Sequence, residues 1–109
     1  MKVRVSGKQI GIGAALPAKV RKQVTEAVGK HFDGGAESSV VFSHEGFGYR
    51  VDCTTHLDSG TVLKSEGIAA DAHHAFDAAV DHMKKQIRRY KRRLKNHHDK
   101  SRVQGAASG

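Results

Sequence analysis

Asp71-Ala72-His73-His74-Ala75-Phe76-Asp77-Ala78-Ala79-Val80-Asp81-His82-Met83-Lys84-Lys85-Gln86-Ile87-Arg88-Arg89-Tyr90-Lys91-Arg92-Arg93-Leu94 is the stretch on which the fold turns. Ala72, Phe76, Ala79, Met83, Ile87, Tyr90 and Leu94 step by three or four, and Ala75 and Val80 widen the stripe. That spacing keeps one apolar face on a helix of roughly seven turns, about 35 Å long. Asp71 is a good N-cap, since its carboxylate can accept from the free amides of the first turn. Asp77 and Asp81 fall in the first half and the cations in the second, as the helix dipole favours. After Asn96 the apolar pattern stops.

Working back toward the N-terminus, three short strands precede this helix. Thr61 to Ala69 leans to β but alternates poorly. Tyr49, Val51, Cys53, Thr55 and Leu57 alternate with Arg50, Asp52, Thr54 and His56, the two-residue period of a half-buried strand. Ser38 to Ser43 carries Val40, Val41 and Phe42. Glu45-Gly46-Phe47-Gly48 and Asp58-Ser59-Gly60 have the composition and length of hairpin connections. Leu16, Val20, Val24, Val28 and Phe32 recur every fourth residue, which predicts a first helix from Ala15 to Phe32, with Pro17 tolerated in its first turn. Asp33-Gly34-Gly35 reads as its stop signal. Lys2 to Ser6, with Val3 and Val5 alternating, reads as an opening strand. The order is therefore β-α-β-β-β-α. The expected fold is α+β, a four-stranded sheet with two helices on one face, similar to double-stranded-RNA-binding folds. The other sheet face would be left to solvent or a partner. Residues 1–96 are expected to form the domain and 97–109 a linker-like tail of small residues.

At 109 residues the chain has one domain's length. No apolar run approaches the roughly 18 residues that cross a bilayer. Met1 to Gly7 has no signal-peptide core, and the single Cys53 excludes an internal disulfide. These features fit a cytoplasmic protein. Charge is more informative. Lysine and arginine number 19 against 11 acids, with a sequence pI of about 9.9. Ten of the 19 lie between Lys84 and Arg102, where Asp99 is the one acid. The first 83 residues are nearly balanced, with nine basic and ten acidic side chains. A one-ended excess of this kind suits a polyanionic partner.

The candidate binding residues follow. Lys84, Lys85, Arg88, Arg89, Lys91, Arg92, Arg93 and Lys95 flank and oppose the apolar stripe of the second helix. Eight cations on one helical surface repel one another unless a polyanion neutralises them, and phosphate does so with release of counterions. An ordinary solvated helix face mixes signs, and no acid occurs between Lys84 and His98. On the first helix Lys19, Lys22 and Lys30 lie near one side of the polar face, with Glu26 among them. They count only if the fold sets them beside the second helix. Lys8 and Gln9, after the first strand, could extend the patch.

Other chemistry finds little support. The pairs His73-His74 and His97-His98 are adjacent, so their side chains diverge by about 100° on a helix and do not chelate as an i, i+4 pair can. Gly11-Ile12-Gly13 lacks the third glycine of a dinucleotide loop, since Leu16 stands there. Cys53 sits among core-pattern residues and reads as a structural thiol. The sequence calls for no metal, no cofactor and no enzymatic activity.

Asp71-Ala72-His73-His74-Ala75-Phe76-Asp77-Ala78-Ala79-Val80-Asp81, with Met83, Lys85-Gln86-Ile87 and Arg89-Tyr90-Lys91, resembles the second-helix signature of the ribosome hibernation-promoting factors, also known as ribosome-associated inhibitor or protein Y and formerly as sigma-54 modulation proteins. Ser6-Gly7-Lys8-Gln9-Ile10 is similar to that family's opening strand, and the resemblance covers roughly residues 2 to 95. It implies a β-α-β-β-β-α domain that sits on the small ribosomal subunit, in the groove used by messenger RNA and by A- and P-site transfer RNA, and silences translation under stress or in stationary phase. By motif match Lys85, Arg89, Lys91 and Lys8 would touch ribosomal RNA phosphates, and helical geometry adds Arg88, Arg92 and Arg93. The family usually has lysine where this chain has His82. Rival readings are a general double-stranded-RNA binder and a regulator of a sigma factor. In the resembled family long members carry a second, dimerising domain. Residues 101–109 hold one large apolar side chain, too little for the roughly 1,000 Å² of a stable interface, so the 109-residue chain is expected to be monomeric.

Overall fold

The structure, a computed structural model, describes residues 2–8, 10–11, 13–32 and 35–107, with side chains as far as residue 95. Its elements are β1 (Lys2–Gly7), α1 (Ala15–Gly29), β2 (Ala36–Glu45), β3 (Gly48–Leu57), β4 (Val62–Ala69) and α2 (Ala72–Ala107), the expected order. The sheet is ordered β1-β2-β3-β4. β1 runs parallel to β2, because α1 carries the chain back between them, and the two hairpins make the other pairings antiparallel. Gly46 turns the first hairpin with φ 57°, a conformation that glycine adopts without a Cβ clash.

Alternation decides which side of each strand meets the helices. Val40 and Phe42 on β2, Val51, Cys53 and Leu57 on β3, and Leu63 on β4 are buried. They meet Leu16, Val20, Val24 and Val28 of α1 and Phe76, Ala79, Met83 and Ile87 of α2 in one core. The Phe42 and Phe76 rings lie 6.3 Å apart, a tilted aromatic contact at the centre. The buried hydroxyls are paired: Ser38 Oγ and Thr55 Oγ1 are 2.8 Å apart, and Ser65 Oγ donates to the Ala79 carbonyl at 2.9 Å.

Three sequence expectations change. β4 alternates strictly, but its inward set is Leu63, Ser65 and Gly67, while Val62 and Ile68 face out. Small inward residues let α2 approach closely, so hydrophobicity masks the period. A Cβ on Gly67 would collide with backbone atoms of Ala75 and Ala79. Next, α1 stops at Gly29 rather than Phe32. The Val28 carbonyl accepts from both His31 N (3.0 Å) and Phe32 N (3.2 Å), which tightens the chain after a poor helix former. Phe32 still packs on the core, 6.0 Å ring to ring from Tyr90. The expected stop at Asp33-Gly34 lies outside the described residues, as do Gln9 and Ile12. Finally, the tail expected from residue 97 continues as helix through Ala107. The apolar stripe ends near Leu94, but no proline follows to break the backbone pattern. At 36 residues α2 is about 54 Å long, and the eight-residue β4 beneath it spans only about 26 Å. Among the described residues no helix is long and apolar enough to cross a membrane.

Candidate nucleic-acid interface

α2 runs antiparallel to β4. Ala79 sits over Ser65, His82 Nδ1 reaches the Glu66 carbonyl (2.5 Å), Gln86 Nε2 donates to the Lys64 carbonyl, and the Tyr90 hydroxyl lies 3.3 Å from Ser59 Oγ. This run fixes where each cation of α2 points. His82, Gln86 and Tyr90 face β4 and the β3–β4 turn. At 100° per residue, Arg89 and Arg93 then share the β4 side, Lys85 and Arg92 the outer ridge, and Lys84, Arg88, Lys91 and Lys95 the α1 side. All eight side chains are exposed.

α1 lies against that last side. Between the helices is an open groove of about 860 Å³, lined by Lys19, Lys22, Glu26, Lys30 and His31 on one wall and Val80, Lys84 and Arg88 on the other. Lys91, outside the lining, has its Nζ 3.5 Å from the His31 carbonyl and 6.0 Å from the centre of the Phe32 ring. The condition set for the α1 lysines is met in space: Lys22 and Lys30 stand beside Lys84 and Arg88. Lys19 is there too, but its charge is committed. Its Nζ lies 3.2 Å from Asp77 Oδ1, 3.3 Å from His73 Nδ1 and 5.8 Å from the centre of the Phe76 ring.

Lys8 is not brought into the groove. Its amide donates to the Phe42 carbonyl at 2.7 Å, beyond the end of β1. Because β1 and β2 are parallel, that end of the sheet is the one where α2 begins. The cationic half of α2 lies at the opposite end, beside Ser59 and Thr61.

The ion pairs show where charge is already compensated. Among the described residues they join Arg4 to Glu37, Lys19 to Asp77, Arg50 to Asp52 and Glu66, and Asp71 to His74. None includes a cation from Lys84 to Lys95. On the outer sheet face Arg4 and Arg50 are thus paired with acids, and Arg50 is held above its ordinary range by Asp52 and Glu66. The helical face carries uncompensated positive charge.

Sequence reading missed His31. It follows Lys30 and lines the groove, and its pKa is lowered by burial and by Lys91, Lys30 and Arg88. Two of those neighbours are nearly sixty residues away, so no local pattern could flag it. His82 contacts the Glu66 carbonyl at the β4 edge. His74 Nδ1 bonds Asp71 Oδ2 (2.5 Å), while the Asp71 carboxylate also accepts the His74 amide (2.8 Å) as the expected N-cap. Cys53 is buried, and burial pushes its thiol up to about 11, the condition of an inert structural cysteine.

Comparison with known proteins places this arrangement. Residues 3–95 match the family described as sigma 54 modulation protein / S30EA ribosomal protein. A ribosome hibernation promotion factor of Rhizobium meliloti is 46% identical over 99 residues, 91% of this chain and 52% of the relative. One from Bradyrhizobium diazoefficiens is 41% identical over 96 residues, 88% of this chain and 47% of the relative. The chain thus spans about half the length of the curated relatives it matches. Among solved structures, the Protein Y N-terminal domain of Thermus thermophilus superposes with TM-score 0.73 at 27% identity, covering 83% of this chain and 99% of that one. A ribosomal subunit interface protein from Coxiella burnetii, at 17% identity and TM-score 0.73 over 84% of this chain and 98% of its own, shares the fold. With the match running from the first strand to the end of the cationic stripe, the chain belongs to the sigma 54 modulation protein / S30EA ribosomal protein family.

Proposed function

We propose that residues 1–96 form a ribosome-docking domain that idles translation in the cytoplasm by occupying the messenger- and transfer-RNA groove of the small subunit, without catalysis. The observation that carries this reading is the distribution of compensated and free charge. Every ion pair among the described residues lies away from Lys84 to Lys95, and the fold adds Lys22 and Lys30 to that surface. The names of the curated relatives supply the ribosome as target. Phosphate contacts would give affinity, and the shape of folded RNA would give selectivity, since A-form grooves offer side chains little base readout. The 109-residue chain would bind as a single copy.

Sedimentation with purified ribosomes tests the proposal. The parent chain pellets at low salt. If about six phosphates are neutralised, affinity falls by roughly three powers of ten between about 50 and 200 mM salt, by analogy with duplex DNA. Arg88→Glu with Arg92→Glu stays folded, because both side chains are exposed, and no longer pellets. A flat salt dependence, or a double variant that binds like the parent, refutes the electrostatic account. Excess duplex RNA that strips the parent from ribosomes would favour a general double-stranded-RNA binder. Binding to a sigma factor in place of ribosomes would favour a transcriptional role.

A further inference from the structure

His31 occupies an unusual place in the groove. It stands in the turn just after α1, beside Lys30 of the same turn, with Lys22 from α1 and Lys84 and Arg88 from α2 lining the groove, and with Lys91 Nζ 3.5 Å from its own carbonyl. Against these five cations the described lining offers one unpaired acid, Glu26, because Lys19 and Asp77 offset each other. An imidazole so placed resists protonation while the groove is empty, since a sixth positive charge would be added to five. A phosphodiester chain laid in the groove reverses that balance, neutralising the lysines and favouring imidazolium at the same spot.

We propose that His31 is a phosphate-contacting residue of this groove and takes up one proton from solvent as the RNA backbone docks, so that acidification tightens binding. The proposal rests on the RNA-docking reading above and adds a titrating group to it. In the free chain His31, though largely exposed, has its pKa lowered first by desolvation against the groove and then by Lys91, Lys30 and Arg88. The sign follows from linkage. A group that binds a proton more tightly in the complex than in the free protein makes the complex more stable as pH falls. A rise of one pH unit in the midpoint on binding corresponds to at most about tenfold in affinity. Phe32, edge-on with ring centroids 6.4 Å from His31, contributes no charge. Asp33 lies outside the described residues, so its substitution forms one arm of the test.

Two measurements at constant ionic strength decide the matter. The first follows the His31 ring by NMR titration with and without inorganic tripolyphosphate, in the parent chain and in Asp33→Asn. The expected result is a midpoint below the ordinary histidine value in the free protein, rising by about one pH unit with tripolyphosphate in both chains. A midpoint indifferent to tripolyphosphate, or one that moves only when Asp33 is present, overturns the proposal. The second measures ribosome affinity at pH 6 and pH 8 for the parent, His31→Gln and His31→Arg. The other histidines titrate in all three, so the difference in pH dependence isolates His31. The parent should gain severalfold more than His31→Gln on acidification, up to about tenfold. His31→Arg should bind more tightly than the parent at pH 8 and show the weaker pH dependence of His31→Gln. Equal pH dependence in the parent and His31→Gln overturns the proposal even if both bind. If the parent fails to bind ribosomes at either pH, the functional reading falls, while the tripolyphosphate titration still decides proton uptake by the groove.

Discussion

Replacing Gly67 by alanine inserts one methyl group between β4 and α2, and the structure sets the sign of the effect. In an ordinary strand interior the change would stabilise by about 0.5–1 kcal/mol, because glycine loses more backbone freedom on folding. At Gly67 the added Cβ would collide with the Ala75 carbonyl oxygen and the Ala79 amide nitrogen, with the Ala78 methyl close behind. Two of these are backbone atoms of a helix pinned by Ser65 to Ala79 and by Gln86 to Lys64, so no side-chain rotation relieves the clash. Overpacking costs about 1–3 kcal/mol, and rigid opposition puts this case at about 2–3. The net loss is about 1–2.5 kcal/mol. At about 4–8 °C per kcal/mol for a domain near this size, Tm should fall by about 4–20 °C. Gly29→Ala is the matched control. Its φ is not positive, and its Cβ would meet only the Thr25 methyl at 4.0 Å. There the same change at the end of α1 should gain up to about 1 kcal/mol. Thermal melts followed by circular dichroism at 222 nm compare the two. A Gly67→Ala chain melting at or above the parent would refute the close helix–strand approach.

Phe76→Ala empties the centre of the core, since its side chain is fully buried against Phe42, and should cost about 3–5 kcal/mol. An unchanged melting temperature would show that another face of α2 meets the sheet. Asp71 is held below its ordinary carboxylate range by the His74 amide and ring. Its capping is therefore present above the unfolded value near 3.9 and is lost as pH falls through the lower folded value. Melts of the parent and Asp71→Ala should differ at pH 6 and converge toward pH 2. Cys53 should resist a thiol reagent at pH 8 in the native chain and react fully once unfolded, because burial pushes the thiol up to about 11. Fast native labelling would contradict its burial.

The sequence alone was enough for the elements and for the cationic helix, because both are local periodicities. A stripe every third or fourth residue from Ala72 to Leu94 needs a helix to become one face, and alternation from Tyr49 to Leu57 needs a strand. A cluster of like charges is visible in one dimension. Where the apolar signal thinned, tertiary packing decided. The inward row of β4 is Leu63, Ser65 and Gly67, chosen for closeness to α2, so its period shows in burial and not in hydrophobicity. The fate of each basic residue was likewise set in three dimensions. Lys19 is offset by Asp77 across 58 positions (77 − 19), Lys8 lies at the far end of the sheet, and Lys22 and Lys30 join Lys84 and Arg88 in the groove. His31 meets Arg88 and Lys91 only when α1 is laid beside α2. Coulomb interactions depend on distance in space and on local water, and neither is written in the order of the residues.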